Sequence, residues 1–439
     1  MSSATSPLLD ATEFFDMGAE LDERSLSDMA LGLRGSEILK IAGQVRAMLA
    51  AGQDVCNLTV GDFSPQQFPI PDRLRDATIA ALNAGHTNYP PSDGMPELRK
   101  AVCDLYERAL GLRYPVESVA IVSGARPALY ATYAVLLNPG ETVVYPVPSW
   151  NNNHYSHLTG AHAIELPTRS EDGFLPTAEL LAPHIGSARL ISLNTPLNPS
   201  GTAITAEELE RICRLIVAEN RRREATGERA LFLLYDQIYW MLTFGDTRHV
   251  TPPEVVPEMA AYTIFVDGIS KGFAATGVRV GWAVAPPHIA SRIRDLMGHV
   301  GAWAPKAEQI GTAALLNDVE AIQEYHIAML PGVRARLDML YNGIMAMQDA
   351  GLPVDAIPPQ GAIYLSARFD VIGTTLHGTT FETNEDIRRF VLEHAGFAVV
   401  PFGAFGLKDE NGWMRLSVGA ASLAQIAAGL PRLRTALEG

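Results

Sequence analysis

The chain has 439 residues, 47% of them apolar, with 34 Lys and Arg against 49 Asp and Glu, for a formal net charge of -15. That length exceeds one ordinary hydrophobic core and predicts two domains, while the acidic balance opposes a nucleic-acid backbone as partner. No apolar run is long enough for a membrane span, the opening Met-Ser-Ser-Ala-Thr-Ser-Pro has no signal-peptide character, and Cys56, Cys103 and Cys213 are too scattered for a disulfide framework or a metal site and fit a reducing, cytoplasmic setting.

Behind an N-terminal arm, residues 36–50 carry apolar side chains at helical spacing. Gly61-Asp-Phe-Ser-Pro is turn chemistry. Residues 70–84 and 94–110 read as helices, separated by the loop Thr87-Asn-Tyr-Pro-Pro-Ser-Asp-Gly. From about 118 strands and helices alternate. Val119-Ala-Ile-Val-Ser ends at Gly124, and a helix is expected over Ala128–Leu137. Glu141–Tyr145, Arg189–Leu193, Leu231–Tyr235, Thr263–Val266 and Val280–Val284 are further apolar runs of strand length. Continuous apolar strands with intervening helices predict a mostly parallel sheet covered on both faces, whose site lies at the carboxyl ends of the strands. Residues 205–229 form a helix with a basic end, Arg221-Arg-Arg, expected to be a solvated face. A long helical region near 308–350 leads to Ala362–Leu365, a helix at 384–394, Phe397–Val400, Trp413–Ser417 and a last helix at 421–437.

Polar residues stand where these runs end. Lys271 follows the Thr263–Val266 run within Val266-Asp-Gly-Ile-Ser-Lys-Gly-Phe-Ala-Ala-Thr-Gly-Val-Arg-Val-Gly-Trp282, and Arg279 comes eight residues later. A lone lysine after a strand is ordinarily a surface residue, but lysine is also the side chain that can hold an aldehyde cofactor covalently. A nearby arginine suits a phosphate. Asp236, in Tyr235-Asp-Gln-Ile-Tyr239, either caps a helix or faces a cationic ring nitrogen. Asn198, in Asn194-Thr-Pro-Leu-Asn-Pro-Ser-Gly-Thr202, reads as a turn or as a hydrogen-bond donor. Gly124-Ala125-Arg126 opens a helix whose free N–H groups can cradle an anion. Trp150 is core or a stacking platform. Tyr89 and Gly61 are a loop anchor and a turn glycine on the plainest reading. Arg415, in the apolar Trp413-Met-Arg-Leu-Ser417, needs a partner if buried, from the protein or from a substrate carboxylate.

Taken together, the segments from 57 to 417 resemble in order and spacing the fold-type I pyridoxal-phosphate enzymes, the aspartate aminotransferase superfamily of class I/II aminotransferases. The resemblance implies an α/β fold with a large domain on a mostly parallel seven-stranded sheet and a smaller α+β domain. It divides the chain into an arm and part of the small domain at 1–60, a cofactor domain at 61–315 and a C-terminal small domain at 316–439. It assigns pyridoxal 5'-phosphate as cofactor, held by Lys271, and no metal. Lys271 also moves the substrate's proton. Asp236 meets the pyridine nitrogen. Asn198 and Tyr239 hydrogen-bond the phenolic oxygen, and Trp150 lies against the ring. Gly124, Ala125, Arg126, Ser270 and Arg279 hold the phosphate. Ser270 and Arg279 carry more of that duty here, because Gly268 stands where the family usually has a phosphate-binding serine. Gln237 likewise replaces a glutamate of the usual Asp-Glu-Ile-Tyr. Gly61 and Arg415 take the substrate carboxylate. Tyr89 reaches the neighbouring subunit's phosphate, which implies a homodimer with shared sites.

The implied reaction is ping-pong transfer of an amino group from an L-amino acid to a 2-oxo acid such as 2-oxoglutarate. Arg126 occupies the place of a lysine that meets the distal carboxylate in one subgroup, and Leu33-Arg-Gly-Ser-Glu-Ile-Leu resembles that subgroup's substrate-covering segment. Both favour an aspartate-like donor. Trp303, in Gly301-Ala-Trp-Ala-Pro-Lys306, departs from the usual Asn-Pro-rich version and favours a more apolar substrate, so an aromatic or broad-specificity aminotransferase stays open. Lys306 is a further carboxylate contact or a helix-start surface residue. A carbon–sulfur beta-lyase needs the same residues and is the other alternative. No Gly-x-Gly-x-x-Gly follows a strand, which excludes a Rossmann dehydrogenase.

Overall fold

In the computed structural model, which describes residues 9–15 and 24–438, the six apolar runs and one further segment, 162–167, become the strands of one sheet. They are β1 (Val119–Val122), β2 (Thr142–Val147), β3 (His162–Pro167), β4 (Ala188–Asn194), β5 (Phe232–Asp236), β6 (Thr263–Gly268) and β7 (Gly281–Val284), in the spatial order β1-β7-β6-β5-β4-β2-β3. From β6 to β3 every pairing is parallel, and β7 alone runs against its neighbours β1 and β6.

Helix α1 (Glu37–Ala50) packs Ile41 with Val400 and Phe405 and Val45 with Leu392 and Ala398, while α2 (Asp72–Asn83), α3 (Pro96–Leu110), α4 (Ala125–Leu136), α5 (Ala206–Thr226) and α6 (Pro287–Val300) flank the strands. Side chains alternate across the pleat. Ile121, Val144, Leu233, Phe265 and Trp282 pack in one core with residues of α3 and α5. Val122, Val143, Leu234, Ile264 and Ala283 pack in another with residues of α4 and α6. With both faces of the central strands buried, a polar side chain before the strand end needs a partner, as Ser192 finds in the Asn152 amide oxygen at 3.0 Å.

A second sheet has the order β10-β11-β9-β8, all antiparallel, from β8 (Val354–Ala356), β9 (Tyr364–Phe369), β10 (Val400–Pro401) and β11 (Trp413–Ser417). Its core joins Leu365 and Leu416 to apolar residues of three helices, α8 (Val319–Asp349), α9 (Asn384–Ala395) and α10 (Leu423–Glu438). The long helix expected near 308–350 is two helices, α7 (Lys306–Leu316) and α8. The break falls at Asn317-Asp318, where Asp318 accepts from the Ala321 N–H at 3.1 Å and starts the new helix. The apolar run 397–400 is also split. Phe397–Ala398 pairs in parallel with Cys56–Asn57, and Val400–Pro401 belongs to the four-stranded sheet.

The basic end of α5 is not wholly a solvated face. Arg221 and Arg222 are exposed, but Arg223 is buried. It pairs with Glu219 at 2.6 Å and donates to the Ala188 and Ile185 carbonyls at 2.7 and 3.1 Å, closing the entry to β4. Met1–Gly35 is a unit separate from Ser36–Gly439. Within it Ser27 caps a short helix over Asp28–Leu31. No helix among the described residues is long and apolar enough to cross a membrane.

Candidate active site at the strand ends of the large sheet

Strands β1, β2, β4, β5 and β6 all finish at one edge. There β4 ends at Asn194 and β5 at Asp236, β1 turns at Gly124 into α4, and β6 runs through Gly268 into a short helical turn over Ile269–Gly272 carrying Ser270 and Lys271. Because β7 is antiparallel, its entry lies at the same edge. That reversal brings Arg279, two residues before β7, beside Gly124.

Arg279 has a left-handed backbone, φ +62°, and donates to the Ser123 and Thr276 carbonyls, each at 2.8 Å. Its guanidinium lies against Gly124, where any Cβ would collide with it. Gly124 also has φ +80°, so both space and conformation require glycine. It caps α4 with no side chain, and the first turn of α4 contains no acid. The N–H groups of Ala125 and Arg126, the dipole of α4, buried Ser270 and a guanidinium without a carboxylate partner among the described residues make an anion corner. Gly268 departs from a serine because β6 and β7 close there: a Cβ would meet the Gly281 Cα at 2.8 Å.

Lys271 is half-buried and donates to the Gly61 carbonyl. Burial pushes its amine down to about 8, with Arg415, Arg126 and Arg279 adding to the effect and Asp62 opposing it. Asp236 accepts from the Ile238 N–H at 3.1 Å and has no cationic partner among the described residues. Burial pushes it up to about 7. It is thus a carboxyl group set to receive a cation. Asn194 is a brace: its amide donates to the Asp236 carbonyl at 2.9 Å, and its oxygen accepts from the Asn198 N–H at 2.8 Å.

The facing wall is the four-stranded sheet. Arg415 is 1% exposed, and no protein carboxylate pairs with it among the described residues. It donates to Asn198 Oδ1 at 3.1 Å and to the Thr59 carbonyl at 2.6 Å, and its Nε has no partner among the described residues. The Tyr364 and Phe405 rings each lie 4.8 Å from its guanidinium carbon. Tyr239 shares a 2.6 Å hydrogen bond with Tyr364, and Lys271 Nζ stands 5.8 Å from the Tyr239 ring centre. Gly61 closes the group, since a Cβ there would sit 2.7 Å from the Tyr364 hydroxyl.

Trp150 is half-buried among Ile38, Ile41, Val400 and Phe405. The Arg126 guanidinium lies 4.3 Å over its ring, and Arg126 is exposed with no carboxylate partner among the described residues. Tyr89 stands apart. It is 80% exposed, and its ring meets Trp303 edge-on at 5.3 Å. Lys306 begins α7 and donates to Asn88 at 2.8 Å, so it belongs with the Tyr89 loop. The Trp303 indole N–H is buried without a partner among the described residues.

Two residues of this group escape sequence reasoning. Tyr364 sits in Gly361-Ala-Ile-Tyr-Leu365, an apolar run that reads as plain core. Asp62 accepts from the Thr276 hydroxyl at 2.6 Å and acts electrostatically on Lys271, yet in the sequence it is one acid in a turn. The available signal was its place directly after Gly61.

Residues 53–433 match the family described as aminotransferase class I and II. An aspartate aminotransferase of Geobacillus stearothermophilus is 30% identical over 416 residues, covering 94% of this chain and 99% of that one. An aspartate/prephenate aminotransferase of Cereibacter sphaeroides is 29% identical over 392 residues, 88% of this chain and 92% of that one. The crystal structure of a Rhizobium meliloti aspartate aminotransferase superposes with a TM-score of 0.84 at 28% identity, covering 94% of this chain and 98% of that one. With the sheet order, the strand-end site and these likenesses in agreement, the chain belongs to the class I and II aminotransferases, within the fold-type I superfamily of pyridoxal-phosphate-dependent enzymes.

Proposed function

We propose that this protein is a pyridoxal-phosphate-dependent aminotransferase. Its amino donor is an acidic L-amino acid, aspartate-like, and its acceptor a 2-oxo acid such as 2-oxoglutarate. The observation that carries the reading is Arg415: a buried guanidinium, without a protein carboxylate among the described residues, on the wall facing Lys271 and Asp236.

The side chains fit the cofactor. At one end Gly124, Arg279 and the N-terminus of α4 suit a phosphate, at the other Asp236 is an uncompensated carboxyl, and between them Lys271 is an amine lowered to about 8. When bound, pyridoxal phosphate supplies an aldehyde that exchanges amines and a ring that accepts electrons from the substrate alpha carbon. The remaining work belongs to the chain. Asp236 holds a proton on the ring nitrogen, Tyr239 and Asn198 donate to the phenolic oxygen, and Trp150 sets the tilt of the ring. Arg415 clamps the alpha-carboxylate through its two-pronged fork. Lys271, poised near neutral pH, would carry the proton from the substrate alpha carbon to the carbon of the cofactor's aldehyde group. Arg126, stacked on Trp150 and without a carboxylate partner among the described residues, meets a distal carboxylate. Names of relatives such as the Geobacillus and Cereibacter proteins support the acidic donor.

A homodimer is part of the proposal, supported by Tyr89, whose 80% exposure leaves it free to reach a second copy. Sedimentation of the loaded protein as a monomer would remove that part.

The deciding experiment is single-turnover spectroscopy of the pyridoxal-loaded protein with a panel of amino acids. Fastest conversion to the pyridoxamine form by aspartate or glutamate is expected. Fast conversion only by aromatic or aliphatic donors leaves the chemistry and discards the role of Arg126. Release of pyruvate and ammonia without a pyridoxamine form makes the protein a beta-lyase.

A further inference from the structure

Tyr364 is buried, 1% exposed, and its backbone has little room to shift. A Cβ on Gly201, itself at φ +75°, would collide with the Tyr364 carbonyl, and two residues along β9 the Ser366 hydroxyl donates to the Ser200 carbonyl at 2.9 Å. In the register of β9 and β11, Ser366 lies opposite Arg415, so Tyr364 is the diagonal neighbour of Arg415 on the same face. That placement sets its ring 4.8 Å from the guanidinium and its hydroxyl 2.6 Å from that of Tyr239. Packing alone would be served by phenylalanine, so the hydroxyl needs its own account.

From this geometry, and resting on the function proposed above, we infer that Tyr364 is a positioning residue: its hydroxyl donates to Tyr239 and thereby aims and strengthens Tyr239 as a donor to the phenolic oxygen of the cofactor. The hydrogen bond between the two hydroxyls has two possible directions. With Tyr364 as donor, the Tyr239 proton is released toward the space in front of Lys271, whose Nζ is 5.8 Å from the Tyr239 ring centre. With Tyr239 as donor, that proton is spent on Tyr364. An anionic oxygen in front of Tyr239 selects the first direction, and hydrogen bonds in a chain polarise one another. The same ring flanks Arg415, so one side chain braces both the carboxylate clamp and the phenolic-oxygen donor.

The test uses the loaded wild type and Tyr364→Phe, each titrated with pH while the visible absorption band of the Lys271-linked cofactor is followed. Donation to the phenolic oxygen favours the deprotonated form of that link, so weakening it moves the midpoint up. Tyr364→Phe is expected to raise it by about half to one pH unit. The phenyl ring still flanks Arg415, so KM for the amino acid should change by less than about twofold while kcat falls. In a Tyr239→Phe background the same substitution should move the midpoint no further. A midpoint within about 0.2 unit of wild type overturns the inference, and so does an equal shift with and without Tyr239. A wild type that forms no visible band overturns the function proposed above and this inference with it. A normal band with an unmoved midpoint overturns this inference alone.

Discussion

On the large-sheet wall of the cleft, Asp236, Lys271 and Arg279 stand where strands end and are only half-buried. On the opposite wall Arg415 lies in the middle of a five-residue strand and is 1% exposed. The first wall is placed by topology: parallel strands finish together, and their final residues are the first that need not be apolar. The second is placed by a local environment of two aromatic rings, a carbonyl and an amide that accept an arginine where the strand pattern asks for an aliphatic residue. Strand-end groups can thus be exchanged at little cost to folding, whereas the buried arginine is coupled to the packing around it.

The largest test of that contrast is Lys271→Ala. Transamination should fall by about a thousandfold or more, borohydride should fix no cofactor to the chain, and the unloaded variant should melt no lower than wild type, because a half-buried amine with a lowered pKa has been removed. A clear loss of melting temperature would break the comparison. Next comes Arg415→Lys, which keeps the charge and removes the fork. It should lower kcat/KM by about a hundredfold, mostly through KM, and lower Tm as well, since the lysine cannot serve both Asn198 and Thr59. Gly124→Ala should weaken cofactor binding by about tenfold, read by fluorescence titration, because the new methyl displaces Arg279.

The smallest effect concerns Asp267, buried at the end of β6, where it accepts from the Trp240 indole at 2.8 Å and the Gly268 N–H at 2.7 Å. Burial pushes it up to about 8. A raised folded pKa means its contribution to stability is full below the unfolded value and is lost as pH rises through about 8. The unloaded wild type should therefore lose Tm as pH rises from about 4 to about 8 and level off above that, and Asp267→Asn should flatten that slope, as differential scanning fluorimetry at stepped pH would show.

The topology-placed wall is the one the sequence makes legible. Asp236 and Lys271 can be singled out because each interrupts a rule that holds along the preceding strand. Arg415 interrupts a rule too, which is why its burial poses the question of a partner. Tyr364 interrupts nothing: a tyrosine among Ala362, Ile363 and Leu365 satisfies a core strand, and its role arises from Tyr239, 125 residues earlier. Strand β3 is missed for a different reason. As the edge of the sheet it is only partly covered, with His162 and Glu165 among its apolar residues, so neither continuous nor alternating hydrophobicity marks it. The two-helix region at 306–349 shows the converse, where an apolar period runs across Asn317-Asp318 and only the cap reveals the break.

The reversed strand β7 has a consequence for how the chain becomes a protein. Gly124 and Arg279 meet only when β1 pairs with β7, a contact that closes a loop of more than 150 residues. Asn198 and Asp236 are braced by bonds spanning only about 40 residues and need none of that closure. A nascent or truncated chain ending before Gly281 lacks the strand whose pairing with β1 sets Arg279 beside Gly124. A phosphate that bound at that corner would therefore require the whole sheet to be assembled, and a ligand that binds only that state draws late folding intermediates into it by mass action.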